Sequence, residues 1–313
     1  MSESIHWPLA PIAVFAFKRP DHLRSTLTAL QANPEFSSSP VHVFCDGPRT
    51  VAEETDVLAA RKVVRMLVPQ HAVIIERQVN LGLDRSIISG VTELCDKYGS
   101  VIVIEDDLEV APNFLAYMNA ALNRYASESE VMQISGYQFP VSLLGPGSAI
   151  FLPYTTSWGW ATWQRAWRQL DLAVPTFSML RDNAALRRAF DLDGSYPYFK
   201  MLNRSLERPF PNWDIVFYTN VFSMQGVVLH PLVSLVRNNG FDGSGNNCGS
   251  FATKPVYFGP GGNSFRLPER PIIDTVAYAA IKKHLCKESM YLMKIGRGIK
   301  AHFDFRLGIH HLN

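Results

Sequence analysis

Over its first 135 residues the chain switches repeatedly between two hydrophobic periods, a pattern that few folds accept. "PIAVFAF" (11–17), "VHVFCD" (41–46), "AVIIER" (72–77) and "VIVIED" (101–106) are short apolar runs, as expected of strands buried on both faces. Between them apolar residues recur at helical spacing. Leu23, Leu27 and Leu30 follow Pro20 and Asp21. Val57, Leu58, Val63, Val64 and Leu67 precede Pro69. Ile87, Ile88, Val91, Leu94 and Cys95 lie between a capping Asp84 and Gly99. Phe114, Leu115, Met118, Leu122 and Tyr125 mark a further helix opening near Pro112, and "VMQIS" (131–135) reads as a fifth strand. The alternation predicts an α/β fold, a mostly parallel sheet with helices on both faces. Ligands of such sheets bind beyond the carboxyl ends of the strands. That gathers Lys18 and Arg19, Asp46, and Asp106 and Asp107 at one edge.

From about residue 136 the texture changes to aromatics and turn residues: "SWGWATW", "YPYFK", "PFPNWD" and a Gly/Asn-rich "RNNGFDGSGNNCGS". "FSMLRDNAALRRAFDL" and "IVFYTNVFSMQG" keep helical spacing. No repeat and no linker appears, so residues 137–275 are expected to pack onto residues 1–136 within one domain, followed by a basic, amphipathic tail over 276–313.

Hydrophobic residues make up 47% of the 313, enough for a sizeable core, and 30 Lys and Arg nearly balance 28 Asp and Glu, so nothing calls for nucleic acid. Cys45, Cys95, Cys248 and Cys286 lie far apart, the usage of reduced thiols. The N-terminus lacks the pattern of a signal peptide, and no run is long enough for a membrane span. A cytoplasmic protein is expected. The stretch "MYLMKIGRGIKAHFDFRLGIHHL" fits either a helix docked on the core or a peripheral contact with the inner face of an anionic membrane.

Three consecutive acids, Glu105, Asp106 and Asp107, end the most hydrophobic strand. Like charges held together resist desolvation, and a divalent cation would neutralise them. Mn²⁺ and Mg²⁺ favour carboxylate oxygens and share their sites with substrate phosphates, near which Arg19 and Arg85 offer fixed positive charge. Asp46 is placed to accept hydrogen bonds from a base or ribose. The plain alternative is a solvated acidic turn.

These residues carry a resemblance. "PIAVFAFKRPDHLRSTLTAL" is similar to the first strand, nucleotide loop and helix of GT-A fold nucleotide-sugar glycosyltransferases, and "VIVIEDDLEVAPNFLAYMNAAL" resembles the strand, DXD-type motif and helix of their N-acetylglucosaminyltransferase I group. The resemblance implies that Asp107 ligates Mn²⁺ (or Mg²⁺) beside a UDP diphosphate. It sets Asp106 near the ribose, Glu105 near the sugar or supporting the loop, and Phe17 and Arg19 in the nucleotide loop. "SWGWATW" is similar to an acceptor-side segment, which makes Trp158, Gly159, Trp160 and Trp163 candidate sugar contacts, and Trp213 of "NWDIVF" is a further candidate. In "NWDIVF", Asp214 falls at the position of the catalytic base. "HPLVSLVRNNGFDGSGNNCG" looks like a signature of bacterial surface-polysaccharide glycosyltransferases, some with hemolytic-protein-like names. Departures are the absence of an N-terminal membrane anchor and a C-terminal third that resembles the Golgi enzymes poorly.

The implied reaction is an inverting transfer of GlcNAc or another hexose from a UDP-sugar to a glycan or lipid-linked glycan, with residues 1–136 binding the donor and 137–275 the acceptor. Each candidate has an ordinary alternative. The tryptophans also suit core packing, and Asp214 suits a helix cap. His230, a candidate second metal ligand, also suits a structural role at a strand end, and Asp242 and Ser244 lie in what is either a ligand-ordered loop or a surface turn. A nucleotidyltransferase, or a non-catalytic nucleotide-sugar-binding protein of the same fold, is the rival function.

Overall fold

A computed structural model describes residues 9–242 and 264–296, apart from residues 144 and 146, with side chains in the final helix described as far as Cys286. The first half runs as expected: β1 (Ile12–Ala16), α1 (Pro20–Gln31), β2 (Val41–Cys45), α2 (Glu54–Leu67), β3 (Val73–Glu76), α3 (Leu83–Tyr98), β4 (Ser100–Glu105), β5 (Leu108–Val110), α4 (Phe114–Arg124) and β6 (Val131–Ser135). The second half adds β7 (Ala149–Leu152), β8 (Trp160–Trp163), α5 (Gln164–Trp167), α6 (Phe177–Asp182), α7 (Ala184–Phe190), α8 (Tyr198–Leu206), α9 (Trp213–Ser223), β9 (Val227–Pro231), β10 (Val236–Asn238) and α10 (Thr275–Gly296).

One eight-stranded sheet has the order β3-β2-β1-β4-β8-β6-β9-β7. Six strands point one way, while β8 and β7 run against them. The fold is the mixed α/β, mostly parallel and Rossmann-like architecture expected from the sequence, and strands from both sides of residue 136 alternate within it. Side-chain alternation decides which layer each residue joins. Ile12, Val14, Ile102 and Ile104 face α1, α2 and α4. Ala13, Phe15, Val101 and Val103 face α3, α5 and α9. A further aromatic cluster joins β7 to α7, α8, α9 and α10. Among the described residues no helix is long and apolar enough to cross a membrane.

Three local expectations need correction. Leu58 is 59% exposed, because α2 turns Val57, Ala60 and Val64 inward instead. The helix expected over 177–192 is broken at Asn183, whose side chain accepts the Leu186 N–H and opens α7. Asp84 does not cap α3. Gly82, at φ +75°, holds that position, and the Asp84 side chain is used elsewhere.

Close helix–sheet packing rests on Gly90 of α3. A Cβ there would lie 2.8 Å from the Phe15 ring and 3.0 Å from Phe44, two rings stacked 5.0 Å apart. Gly90→Val should lower stability by about 1–3 kcal/mol through overpacking, read as a shifted urea midpoint at unchanged slope.

Candidate functional site

The acidic corner forms because β4, buried along its length, ends at the sheet's carboxyl edge and turns at once into β5. Glu105, Asp106 and Asp107 are 4%, 4% and 3% exposed. The loop after β1 and the helix α1 that follows clamp one side: the Phe17 N–H donates to Asp106 Oδ2 at 3.0 Å, and Thr26 Oγ1 of α1 donates to the Asp106 carbonyl at 2.9 Å. The Arg19 guanidinium bridges the two aspartates through Nη2, which donates to Asp106 Oδ1 and, at 2.9 Å, to Asp107 Oδ2. Burial opposes the charge on Arg19, but the two carboxylates outweigh that and hold its pKa above the ordinary guanidinium range.

The loop after β10 clamps the other side. β10 pairs antiparallel with β5, and the Asn239 N–H donates to the Asp107 carbonyl at 2.8 Å. A Cβ on Gly240 would meet Asp107 Oδ2, so a larger residue there would have to displace the Asp107 carboxylate. His22 of α1 steadies this loop, its Nε2 lying 3.3 Å from the Asn239 carbonyl and 3.1 Å from Asp242 Oδ2. Asp107 Oδ1 is buried and has no hydrogen-bond partner among the described residues. A carboxylate oxygen so placed, completed by water and a diphosphate, is a donor that suits Mg²⁺ or Mn²⁺. No group of three His, Cys, Asp or Glu side chains gathers for a metal among the described residues.

Along the same edge Asp46 is fully engaged, accepting N–H groups of Gly47, Leu81 and Gly82 at 3.0, 2.9 and 3.0 Å. It pins the loop that opens α3. The Phe17 ring is half-buried between Lys18 and Arg49, 5.7 and 5.2 Å from its centroid. Both cations also bind Glu53, and hydrogen bonds from Arg49 first and Lys18 second lower its carboxyl to about 2. Arg85 is exposed on the first turn of α3, over the Phe210 ring at 5.0 Å.

Asp214 is the second residue of α9 and 3% exposed, with Oδ1 accepting the Ile215 N–H at 2.7 Å. A helix N-terminus favours a carboxylate in its charged form. Asp84 fixes that helix end from the other half of the chain. It accepts the Trp213 N–H at 3.0 Å and pairs with Arg208 at 3.2 Å. Since β8 runs antiparallel to β4 with Trp160 opposite Val103, Trp158 and Gly159 arrive at the same edge as the acids. Trp158 is half-buried and meets Phe241, two residues beyond Asn239, at 5.6 Å.

Several candidates have other work. Trp160 and Trp213 are 0% and 1% exposed and stack at 4.9 Å in the core between sheet and helix, leaving no face for a sugar. Gly159, at φ +58°, is required by packing, because a Cβ would lie 2.7 Å from Val236 and 3.2 Å from Phe114. His230 is fully buried, its ring nitrogens 3.4 and 3.0 Å from the carbonyls of Tyr137 and Tyr154, so neither nitrogen is available to a metal. The sequence does not single out Asp84, Thr26, His22 or the Asn239–Gly240 clamp as site residues. Their partners lie far along the chain, and only the residue types hint at polar roles. Ser244, Cys248 and the tail beyond residue 296 lie outside the described residues.

No protein-family model matches the sequence, and no curated protein matches it. Among solved structures, a mannosyltransferase from Pyrobaculum calidifontis, in complex with GDP-Man and Mn²⁺, is similar with a TM-score of 0.32 and 14% identity, over 44% of this chain and 37% of that one. S. aureus TarS is similar with a TM-score of 0.34 and 12% identity, over 52% of this chain and 30% of that one. The matched region thus spans about a third of each of those chains.

Burial lowers the His230 pKa from 6.5 to about 4, against its two carbonyl contacts. Between those values the unfolded chain binds more protons. The stability from neutral His230 is therefore complete above pH 6.5 and is lost as pH falls through about 4. In urea titrations over this window, wild type should lose on the order of 3 kcal/mol more than His230→Gln. Equal losses would contradict a buried neutral imidazole.

Proposed function

We propose that this chain is a metal-dependent glycosyltransferase of the GT-A type. It moves a hexose, GlcNAc foremost, from a UDP-sugar to a glycan or lipid-linked glycan with inversion, in surface-polysaccharide synthesis. One observation carries this proposal. A buried aspartate pair at the end of a central strand is bridged by Arg19, keeps one carboxylate oxygen open, and shares a sheet edge with a helix headed by Asp214. A solvated acidic turn would show none of this burial.

Asp107 would hold Mn²⁺ or Mg²⁺ through its open oxygen, and the ion when bound supplies charge stabilisation to the departing diphosphate. Arg19 sets a fixed positive charge at the same place. The Phe17 ring and the loop pinned by Asp46 bound the nucleotide side, with Asp106 toward the ribose. Trp158 offers the sugar an apolar face, a task that Trp160 and Trp213 leave to it. Asp214, held ready by the helix end, takes the proton of the acceptor hydroxyl as that oxygen attacks the anomeric carbon.

The test begins with thermal melts against UDP, GDP and dTDP and their sugars, with and without Mn²⁺, for wild type and Asp107→Ala. One nucleotide family should stabilise wild type by about 2.7 kcal/mol at a hundredfold excess over its dissociation constant, only with metal, and should fail on the variant. With that donor, Asp214→Asn should keep donor binding and lose at least about a hundredfold in transfer rate. No stabilisation by any nucleotide with metal present would overturn the proposal. Undiminished transfer by Asp214→Asn would remove Asp214 from the chemistry.

A further inference from the structure

Two adjacent buried aspartates need a counter-charge, and the cations around the corner are already divided among the nearby acids. Lys18 and Arg49 belong to Glu53, at 2.7 Å each. Arg237 belongs to Glu109, and His22 faces Asn239 and Asp242. Among the described residues it is Arg19 that meets Asp106 and Asp107, and it does so with one nitrogen, Nη2, shared between them. A point of positive charge set between two carboxylates is also where a divalent cation gains most from them. Among the described residues nothing bonds Asp107 Oδ1, while Oδ2 is taken by Arg19, so a cation drawing on both oxygens competes directly with the guanidinium.

We infer that Arg19 is a built-in counter-ion of the acidic corner, which keeps divalent cation binding weak until a diphosphate engages the guanidinium. The inference deepens the proposed donor site and rests on it for the identity of the diphosphate. Charge balance is its basis. Arg19 repels an incoming cation while it bridges the pair. A diphosphate attracts both, so the guanidinium can turn from carboxylate to phosphate oxygens, which suit its planar fork equally well. Metal and nucleotide then strengthen each other, by the same factor in either direction.

Electron paramagnetic resonance counts free Mn²⁺ and gives its dissociation constant without any activity assay. For wild type, Mn²⁺ alone should bind weakly and UDP should tighten it severalfold or more. Arg19→Met should bind Mn²⁺ alone at least about tenfold more tightly than wild type, with little further gain from UDP. Arg19→Lys, which keeps the charge but not the planar guanidinium, should fall between and guards against a folding failure of the methionine variant. Adding Asp107→Asn to either variant should abolish the tightened binding. In chelator Arg19→Met should melt below wild type, and Mn²⁺ should restore much of the difference. Unchanged Mn²⁺ affinity in both Arg19 variants would overturn the inference, as would tightened binding that survives Asp107→Asn. If Mn²⁺ tightens in the Arg19 variants but none of UDP, GDP and dTDP binds any of the proteins, the counter-ion stands and the glycosyltransferase proposal falls.

Discussion

The Arg19 bridge to Asp106 and Asp107 is the contact on which the arrangement of this sheet edge depends. Strand β4 gains its place at the centre of the sheet by burying Val101 through Ile104 completely. That same burial carries the acids at its end out of water, where an unmatched pair of negative charges would cost several kcal/mol. The guanidinium offsets much of this cost, and its position dictates the loop after β1: Phe17 must present its N–H to Asp106, and Pro20 must start α1 immediately. Removing one partner of such a bridge is far worse than never having had it, because the remaining charge stays buried.

Two long-range clamps couple the halves of the chain at this edge. One is β10 and its following loop, which pair with β5 and hold the Asp107 backbone. The other is Asp84, at the first turn of α3, which holds the head of α9 and so the position of Asp214. The stacked indoles of Trp160 and Trp213 lie behind this second clamp and make the α9–sheet contact rigid. The acidic corner and the helix-borne Asp214 are therefore set relative to each other by core packing, not by the exposed loops alone.

Local period makes the strands and most helices legible, since a strand buried on both faces reads as an apolar run and a helix as a stripe. The acids after "VIVI" stand out for the same reason: charge at the end of such a run needs a cause. A sequence does not convey how polar groups are shared over long distances. Asp84 looks like a cap in its own helix, yet its partner is 129 residues away. As large hydrophobes the tryptophans of "SWGWATW" already favour core packing over ligand contact, and burial between sheet and helix sets Trp160, with Trp213, in the core. His230 looks like a ligand because imidazole suits metals, but two backbone carbonyls claim its ring. Leu58 falls outside the buried face because an i, i+1 apolar pair leaves the orientation of the stripe open.

If the open oxygen of Asp107 completes a cation–diphosphate site, crystals grown with UDP and Mn²⁺ and measured at the manganese absorption edge will reveal it. One anomalous peak is expected within coordination distance of Asp107, shared with the diphosphate, with the Arg19 guanidinium against phosphate oxygens. Nucleotide bound with manganese elsewhere, or bound away from the carboxyl end of β4, would contradict such a site.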